Sequence, residues 1–456
     1  MRRHVLVGRL GPNDRTRVPA APDEVVTKLE LVASERRLEH GIGRALEDCA
    51  RRGLFPTEVG LDLLVLAAHV HAADTRISRV SESQDTWTRE IRLVVPVSEP
   101  AQWERAAAVL QRMLNFLTGD RWVVGFRARP SRFGILTPRR PPGRARPSLN
   151  SLALFSGGLD SLIGAIDALE AGRNPLFVSH AGEGATSEAQ NGLFDALKRH
   201  YRKSSLDRLR LWMNFPEGLV RNVGSESTTR GRSFLFIALG VFAGTGFADD
   251  FTLSVPENGF IALNVPLDPL RLGALSTRTT HPFYLARWNE LLGVIGISGR
   301  VENPFWDKTK GEMVVGCANS DLLRQLSAMS LSCASPTKGR WQGRGIEHCG
   351  YCLPCLIRRA SMIRGFGAGN DPTPYTLGDL RAHALDTRQS EGQQVRSFQM
   401  AIERLKAKPA EAALLIHKPG PLSDESPARQ AALAGVYKRG LDEVATLLTG
   451  VSTRPG

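Results

Sequence analysis

The clearest rhythm of hydrophobic and polar positions in this chain lies between residues 150 and 300. Short apolar runs at 152–155, 175–180, 208–213 and 250–255 alternate with stretches of helical spacing at 160–171, 187–202, 231–246 and 282–296. Brief apolar runs separated by amphipathic helices are what a parallel sheet covered on both faces requires. The pattern predicts an α/β domain with a doubly wound parallel sheet over 150–375. Ligands of such sheets bind beyond the carboxyl ends of the strands.

The flanks are less regular. In residues 1–126 the run 61–67 is apolar, 90–97 alternates in part, and 122–126 reads as a strand. Between 103 and 117, Trp103, Ala106, Ala107, Leu110, Leu114 and Leu117 fall near one helical face. These segments predict a small N-terminal α+β domain. Residues 127–149 read as a basic, proline-rich linker. Residues 376–456 read as a polar helical extension, broken at Lys418-Pro419-Gly420-Pro421. Its last helix, about 430–449, carries Leu433, Val436, Leu441, Val444, Leu447 and Leu448.

The formal charge of +13 over 456 residues comes mostly from arginine. A nucleic-acid partner held through phosphates is one reading. An arginine-rich composition with a merely basic surface is the other, and it is favoured for most of the chain. Only 127–147 concentrates the charge, in Arg127, Arg129, Arg132, Arg139, Arg140, Arg144 and Arg146 among five prolines. Such stretches are more often extended linkers than binding sites. Arg2, Arg3 and His4 precede only a short apolar run, and no apolar run is long enough to span a bilayer. The expectation is a cytoplasmic protein with no membrane partner.

The most informative chemistry is Leu152-Ala153-Leu154-Phe155-Ser156-Gly157-Gly158-Leu159-Asp160-Ser161. A buried strand turns through small residues into a helix N-terminus, where backbone N–H groups and the helix dipole favour an anion. The glycines let the main chain approach a phosphate, and Ser156 and Ser161 add hydroxyls. Asp160 cannot hold a phosphate alone, so Mg²⁺ bridging to phosphate oxygens is its expected partner. The chain has no Gly-x4-Gly-Lys-Ser/Thr loop, and the third glycine of a dinucleotide fingerprint is missing. An ordinary strand–turn–helix corner is the competing reading.

The second strong signal is Cys333-x15-Cys349-x2-Cys352-x2-Cys355. Four thiolates make a closed tetrahedral set suited to structural Zn²⁺, with iron–sulfur or redox disulfides as weaker readings. Cys49 and Cys317 are expected to be buried small residues, and His348 is not needed as a ligand. Weaker elements are Lys308-Thr309-Lys310 before a helix, Arg230 and Arg232 ahead of the apolar run 234–241, and Glu257-Asn258-Gly259 after a strand. Lysines there suit a polyphosphate, an arginine can clamp a phosphate or carboxylate, and Glu257 with Asn258 could read a heterocycle's edge. A solvated helix start, surface arginines and a plain Asn-Gly turn are the respective alternatives. Ser276, Arg278, Thr279, Thr280 and His281 form a polar cluster that could line a substrate cavity. His69 and His71 would share a face on a strand, and with Asp74 could suggest a metal site. Ordinary core or surface histidines are the favoured reading.

The segment Ser156-Gly157-Gly158-Leu159-Asp160-Ser161 resembles the PP-loop of the ATP pyrophosphatases, which split ATP between its α- and β-phosphates. With Arg230 or Arg232, Lys308-Thr309-Lys310-Gly311-Glu312 and the four cysteines following in order, residues 150–365 resemble the QueC family of 7-cyano-7-deazaguanine synthases. The longer architecture, with Glu257-Asn258-Gly259-Phe260 and residues 276–282, is more similar to the QueC-like proteins of bacterial anti-phage defence, such as that of the Qat system. The resemblance implies ATP, Mg²⁺ and Zn²⁺, and adenylation of a carboxylate on a 7-carboxy-7-deazaguanine-type base. Ser156, Gly157, Gly158, Leu159, Asp160 and Ser161 would hold the nucleotide. Asp160, Lys308, Lys310 and Arg232 would serve catalysis. Glu257, Asn258 and Arg278 would meet the substrate. Ammonia, or an amine of a partner protein from the same operon, would accept the acyl group. Departures are Val178-Ser179-His180-Ala181, where the family usually shows aromatic-Gly-Gln, and the segment beginning at Glu257. A housekeeping synthase, a tRNA-modifying PP-loop enzyme and an interaction protein without activity are the alternatives.

Overall fold

The computed structural model describes residues 2–454 except 33–36, 84, 146, 183, 248–249, 269–277, 340–342 and 344. The first unit contains β1 (Arg3–Leu10), β2 (Glu24–Val32), α1 (Ile42–Arg51), α2 (Glu58–Arg76), α3 (Arg79–Glu82), β3 (Glu90–Val97), α4 (Pro100–Thr118) and β4 (Arg121–Ala128). Its strands form one sheet, ordered β2-β1-β3-β4, and every pairing is parallel. The unit is therefore α/β, which corrects the α+β expectation. Two features misled the sequence pattern. Val5, Leu6 and Val7 of the inner strand β1 are all fully buried, so the alternation of a half-exposed strand is missing. The apolar run 61–67 lies inside α2, a helix buried from Gly60 to Thr75 between this sheet and the next layer. A helix enclosed on all sides has no polar face and loses its period.

The second unit follows the predicted alternation. It runs β5 (Ser151–Leu154), α5 (Leu159–Glu170), β6 (Pro175–Ala181), α6 (Gly184–His200), β7 (Asp207–Trp212), α7 (Arg232–Gly244), β8 (Phe251–Ser254), α8 (Gly259–Leu263), α9 (Pro282–Val294) and β9 (Gly299–Glu302). The sheet order is β7-β6-β5-β8-β9, parallel throughout. The edge strand β9 escaped the sequence pattern because only Val301 of its four residues is buried. Successive strands step outward from β5 first on one side and then on the other. Loops leaving β5 and β8 therefore diverge, and a crevice opens between them.

The rest of the chain adds α10 (Lys310–Val315), α11 (Ser320–Ser327), α12 (Leu353–Phe366), β10 (Leu385–Asp386), α13 (Ser390–Ala407), α14 (Ala412–Leu415), α15 (Pro427–Leu447) and β11 (Thr453–Arg454). One apolar cluster runs without interruption from Leu6 in β1 through α2, α4 and α7 to Val301 in β9. A second joins Phe260 and Leu263 of α8, Leu356 and Ile357 of α12, and side chains from Leu380 to Val451. Residues 129–149 lie against the first unit. Arg129 is buried between Glu58 and Asp62, Arg140 stacks 5.2 Å from the Phe55 ring, and Arg144 donates to the Ala50 carbonyl at 3.3 Å. Arg146 lies outside the described residues. Among the described residues no helix is long and apolar enough to cross a membrane.

Candidate active site and metal centre

The loop 156–161 leaves β5 at the crevice. Gly157 adopts φ +83°, and a Cβ there would stand 3.1 Å from Gln190, so both conformation and space call for glycine. Gly158 is the N-cap of α5. The Ser156 hydroxyl accepts the Gly158 amide at 3.3 Å and lies 3.2 Å from the Ser161 hydroxyl, which donates to the Gly158 carbonyl at 2.9 Å. The result is a tight turn at the start of a twelve-residue helix. Such a helix start presents N–H groups and partial positive charge to an anion.

Asp160, in the first turn of α5, is buried. Its Oδ1 accepts from Lys310 Nζ at 2.6 Å, and its Oδ2 accepts from the Asn258 amide at 3.0 Å and Asn258 Nδ2 at 2.7 Å. Asn258 in turn caps α8 by accepting the Ile261 amide at 3.0 Å. Its side chain is thus engaged by Asp160 and α8 and, unlike Glu257, is not part of the nearby cavity lining, which differs from the sequence reading. Lys310 opens α10, whose N-terminus carries a capping box between Thr309 and Glu312. The tail reinforces it. Glu443 of α15 accepts the Thr309 hydroxyl, the Gly311 amide at 3.1 Å and Arg364 at 2.7 Å, and Arg439 pairs with Glu312 at 2.7 Å. Lys308 turns elsewhere. Its ammonium lies 5.6 Å from the Phe305 ring centre, and its carbonyl accepts the Gly259 amide at 2.7 Å.

A cavity of about 370 Å³ fills the crevice, and its lining includes Ser156, Ser161, His180, Arg232, Glu257 and Thr280. Burial pushes the Glu257 carboxyl up to about 7; the Thr280 hydroxyl and Lys310 pull against that, and the charge on Asp160 adds to it. Part of the Glu257 surface opens into the cavity, so enclosure by the walls, and not full loss of area, sets that direction. Burial pushes the His180 imidazole down to about 3, helped by Arg232 and His71, so this ring is neutral. Arg278 does not reach the cavity. It donates to the Phe116 carbonyl at 2.7 Å and lies 4.7 Å from that ring. Ser276 lies outside the described residues. Gln190 was not singled out from the sequence. Its Nε2 ties the Ser156 carbonyl, at 3.3 Å, to that of His180, at 3.2 Å. Its signal was a polar side chain on the apolar face of α6, between Ala189 and Leu193. A second cavity of about 480 Å³ lies against α8, α12 and α13, away from this chemistry. Its walls are largely apolar, and no carboxylate lines it among the described residues, whereas the smaller cavity brings together Arg232, His180 and Glu257.

His69, His71 and Asp74 sit on α2 and do not converge. His69 Nδ1 donates to the Val65 carbonyl at 2.8 Å, His71 meets His180 edge-on, and Asp74 pairs with Arg89 at 3.1 Å.

Cys333, Cys349, Cys352 and Cys355 do converge, with all four sulfurs within 4.8 Å of one another. The pairs Cys333–Cys352 and Cys349–Cys355 stand 3.9 Å apart. Tetrahedral Zn–S bonds of about 2.3 Å separate sulfurs by about 3.8 Å, so the cluster could hold a zinc ion. The Ser335 and Cys349 amides each donate to Cys333 Sγ at 3.3 Å, which favours its thiolate, and Cys355 lies in the first turn of α12. Gly350 turns the knuckle at φ +88°. Cys49 and Cys317 stand apart as buried thiols pushed up to about 12 by burial. His348 is no ligand; its Nε2 accepts the Ser332 amide at 3.2 Å. That bond joins the two sites. Ser332 Oγ accepts the Leu159 amide at 3.3 Å, and the Leu331 amide donates to the Gly157 carbonyl at 2.8 Å. The residues just before Cys333 thus roof the anion loop. No protein-family model matches the chain, and no curated protein matches it.

Proposed function

We propose that this chain is a QueC-like, ATP-dependent enzyme that adenylates the carboxylate of a 7-deazaguanine and releases pyrophosphate. The observation that carries this reading is the buried Asp160–Lys310 pair at the start of the helix that follows the anion loop, with Ser156 and Ser161 of that loop lining a cavity together with Glu257. Loop residues 156–161 would bind the ATP phosphates through backbone amides and the Ser156 and Ser161 hydroxyls. Lys310, aimed by Asp160, would neutralise charge growing on the departing pyrophosphate. Arg232, across the cavity, would hold the anionic carboxylate or α-phosphate. Glu257 would accept two N–H groups from a guanine-like edge.

Asp160 Oδ1 keeps a lone pair beside its Lys310 bond, so it could give Mg²⁺ one oxygen while the phosphates give others, and the ion would add positive charge at the pyrophosphate. Zn²⁺ in the four-cysteine cluster would be structural, since every protein ligand position is filled. In the first step a carboxylate oxygen bonds the α-phosphorus, and the bond from that phosphorus to the bridging oxygen breaks. In the second, an amine nitrogen bonds the acyl carbon, AMP leaves and the amine loses a proton. Ammonia would give an amide, and a second ATP a nitrile. An amine of a partner protein encoded beside it in a defence operon would give a base–protein adduct.

The test is to incubate the protein with Mg-ATP and 7-carboxy-7-deazaguanine, with and without ammonia and candidate partner proteins, and to follow pyrophosphate and product masses. Pyrophosphate that depends on the base supports the reading. A nitrile from ammonia alone assigns the housekeeping reaction, and no base-dependent pyrophosphate overturns adenylation.

A further inference from the structure

Several contacts run from the first unit to residues in or next to the cavity lining. Asp74 Oδ2 accepts the Gly231 amide at 2.6 Å. Arg230 donates to the Thr118 carbonyl at 3.0 Å, and its guanidinium lies 3.8 Å from the Trp87 ring centre. His71 meets the His180 ring edge-on, with centres 5.5 Å apart. Arg278 is tied to Phe116. Of the residues so held, Arg230 and His180 line the cavity, and Gly231 immediately precedes Arg232, which also lines it.

Asp74 is unlike a surface contact. It is fully buried and shared between Arg79, at 3.4 Å, and Arg89, at 3.1 Å, while Asp120 holds Arg89 from the other side at 2.7 Å. A carboxylate locked between guanidiniums in a low-dielectric interior presents its remaining oxygen at a fixed place. Gly231 is the N-cap of α7 and supplies no side-chain cap of its own. Asp74 engages that N-terminus from a different sheet layer. A Cβ at Gly231 would stand 3.2 Å from the Asp74 carboxylate, so the close approach depends on glycine. Beyond Ser233, α7 is an apolar helix running into the shared core, with little polar anchoring along its length. Its polar anchor is at this end, one residue before Arg232. The Arg232 guanidinium lies against Gly182 at the end of β6, where a Cβ would come within 2.6 Å of it.

We infer that Asp74 is a positioning residue that fixes the start of α7 and so aims Arg232 into the cavity, which makes the first unit a support behind the wall of the substrate site. The readout in turnover rests on the adenylation reading; the readout in binding does not. The test uses the full chain and the variants D74A, D74N, G231A, R232A and the doubles D74A/R232A and G231A/R232A. Mg-ATP affinity is measured by calorimetry, and KM and kcat by pyrophosphate release. D74A is expected to weaken Mg-ATP binding and raise KM about tenfold with little change in kcat, as loss of a ground-state anion contact would. D74N, which keeps an oxygen for the Gly231 amide, is expected to recover most of the affinity. In the R232A background, D74A is expected to add nothing. If D74A does not fold, G231A, whose Cβ would stand 3.2 Å from the Asp74 carboxylate and so presses on the same contact, carries the same cycle against R232A. Losses that multiply in the double variants, or a D74A defect confined to kcat, overturn the inference. If the wild-type protein binds Mg-ATP but releases no pyrophosphate, the adenylation reading falls, while the affinity cycle still decides the role of Asp74.

Discussion

Lys310 Nζ stands 2.6 Å from Asp160 Oδ1 although 150 residues separate them in the chain. The two side chains are only 4% and 10% exposed, so each charge depends on the other for compensation. Removing one partner of such a pair costs about 3–5 kcal/mol, whereas replacing both by apolar groups costs much less. D160N and K310M are therefore each expected to lower the melting temperature and to cut pyrophosphate release by about 10²-fold or more. The double variant is expected to regain stability without regaining activity. Thermal melts and turnover on the same four proteins check this, and a double variant as active as wild type would remove the pair from the chemistry.

Glu257 supplies a pH signature. Its carboxyl is pushed up to about 7, chiefly by burial. If the ionised form pairs with the base, kcat/KM for the deazaguanine should rise with pH through an inflection near 7, and E257Q should show no such limb. Stability runs the other way. Because the folded value lies above the free one, ionisation costs nothing below about pH 4.5 and grows costly as pH rises to 7. E257Q should then gain on the order of 2 kcal/mol over wild type at pH 8 and nothing at pH 4, as denaturant melts at both pH values would reveal.

The metal centre should make itself felt at the anion loop. Elemental analysis is expected to return one zinc per chain. C349S should lose both the zinc and most Mg-ATP affinity, because the segment that roofs the loop is anchored beside Cys333. S332A should keep its zinc yet bind Mg-ATP several-fold more weakly, about the value of one hydrogen bond. Retained affinity in a zinc-free protein would separate the two sites.

The tail makes a parallel claim. Glu443 accepts from Thr309, Gly311 and Arg364. E443A leaves a buried amide and hydroxyl unmet and should cost about 2–4 kcal/mol. It should also lower kcat by loosening Lys310. E443Q, which keeps the acceptor oxygen, should fall between E443A and wild type in both measurements.

The parts legible in the sequence were those whose signal is local. The second sheet declared itself because short apolar runs and amphipathic helices alternate, and the loop 156–161 and the four cysteines because spacing alone brings their atoms near. The first sheet stayed hidden: β1 and α2 are buried on all sides, and burial erases the period that separates strand from helix. Asn258 looked like a reader of substrate because its partner Asp160 is 98 residues away. Lys308 and Lys310 looked equivalent, yet one turn of backbone sends Lys310 to Asp160 and Lys308 towards Phe305. Glu443 and Gln190 act through contacts with distant backbone amides and carbonyls, which carry no sequence mark.

The roof over the anion loop also bears on how the protein is made. Strand β5 and its glycine turn leave the ribosome long before Leu331, Ser332 and the cysteines have been translated, and α15, which steadies Lys310, emerges later still. The anion loop is thus written early and finished late. A nascent chain that had not yet reached Lys310 would leave Asp160 without its ion-pair partner, and one that had not yet reached Leu331 would expose the turn without its roof.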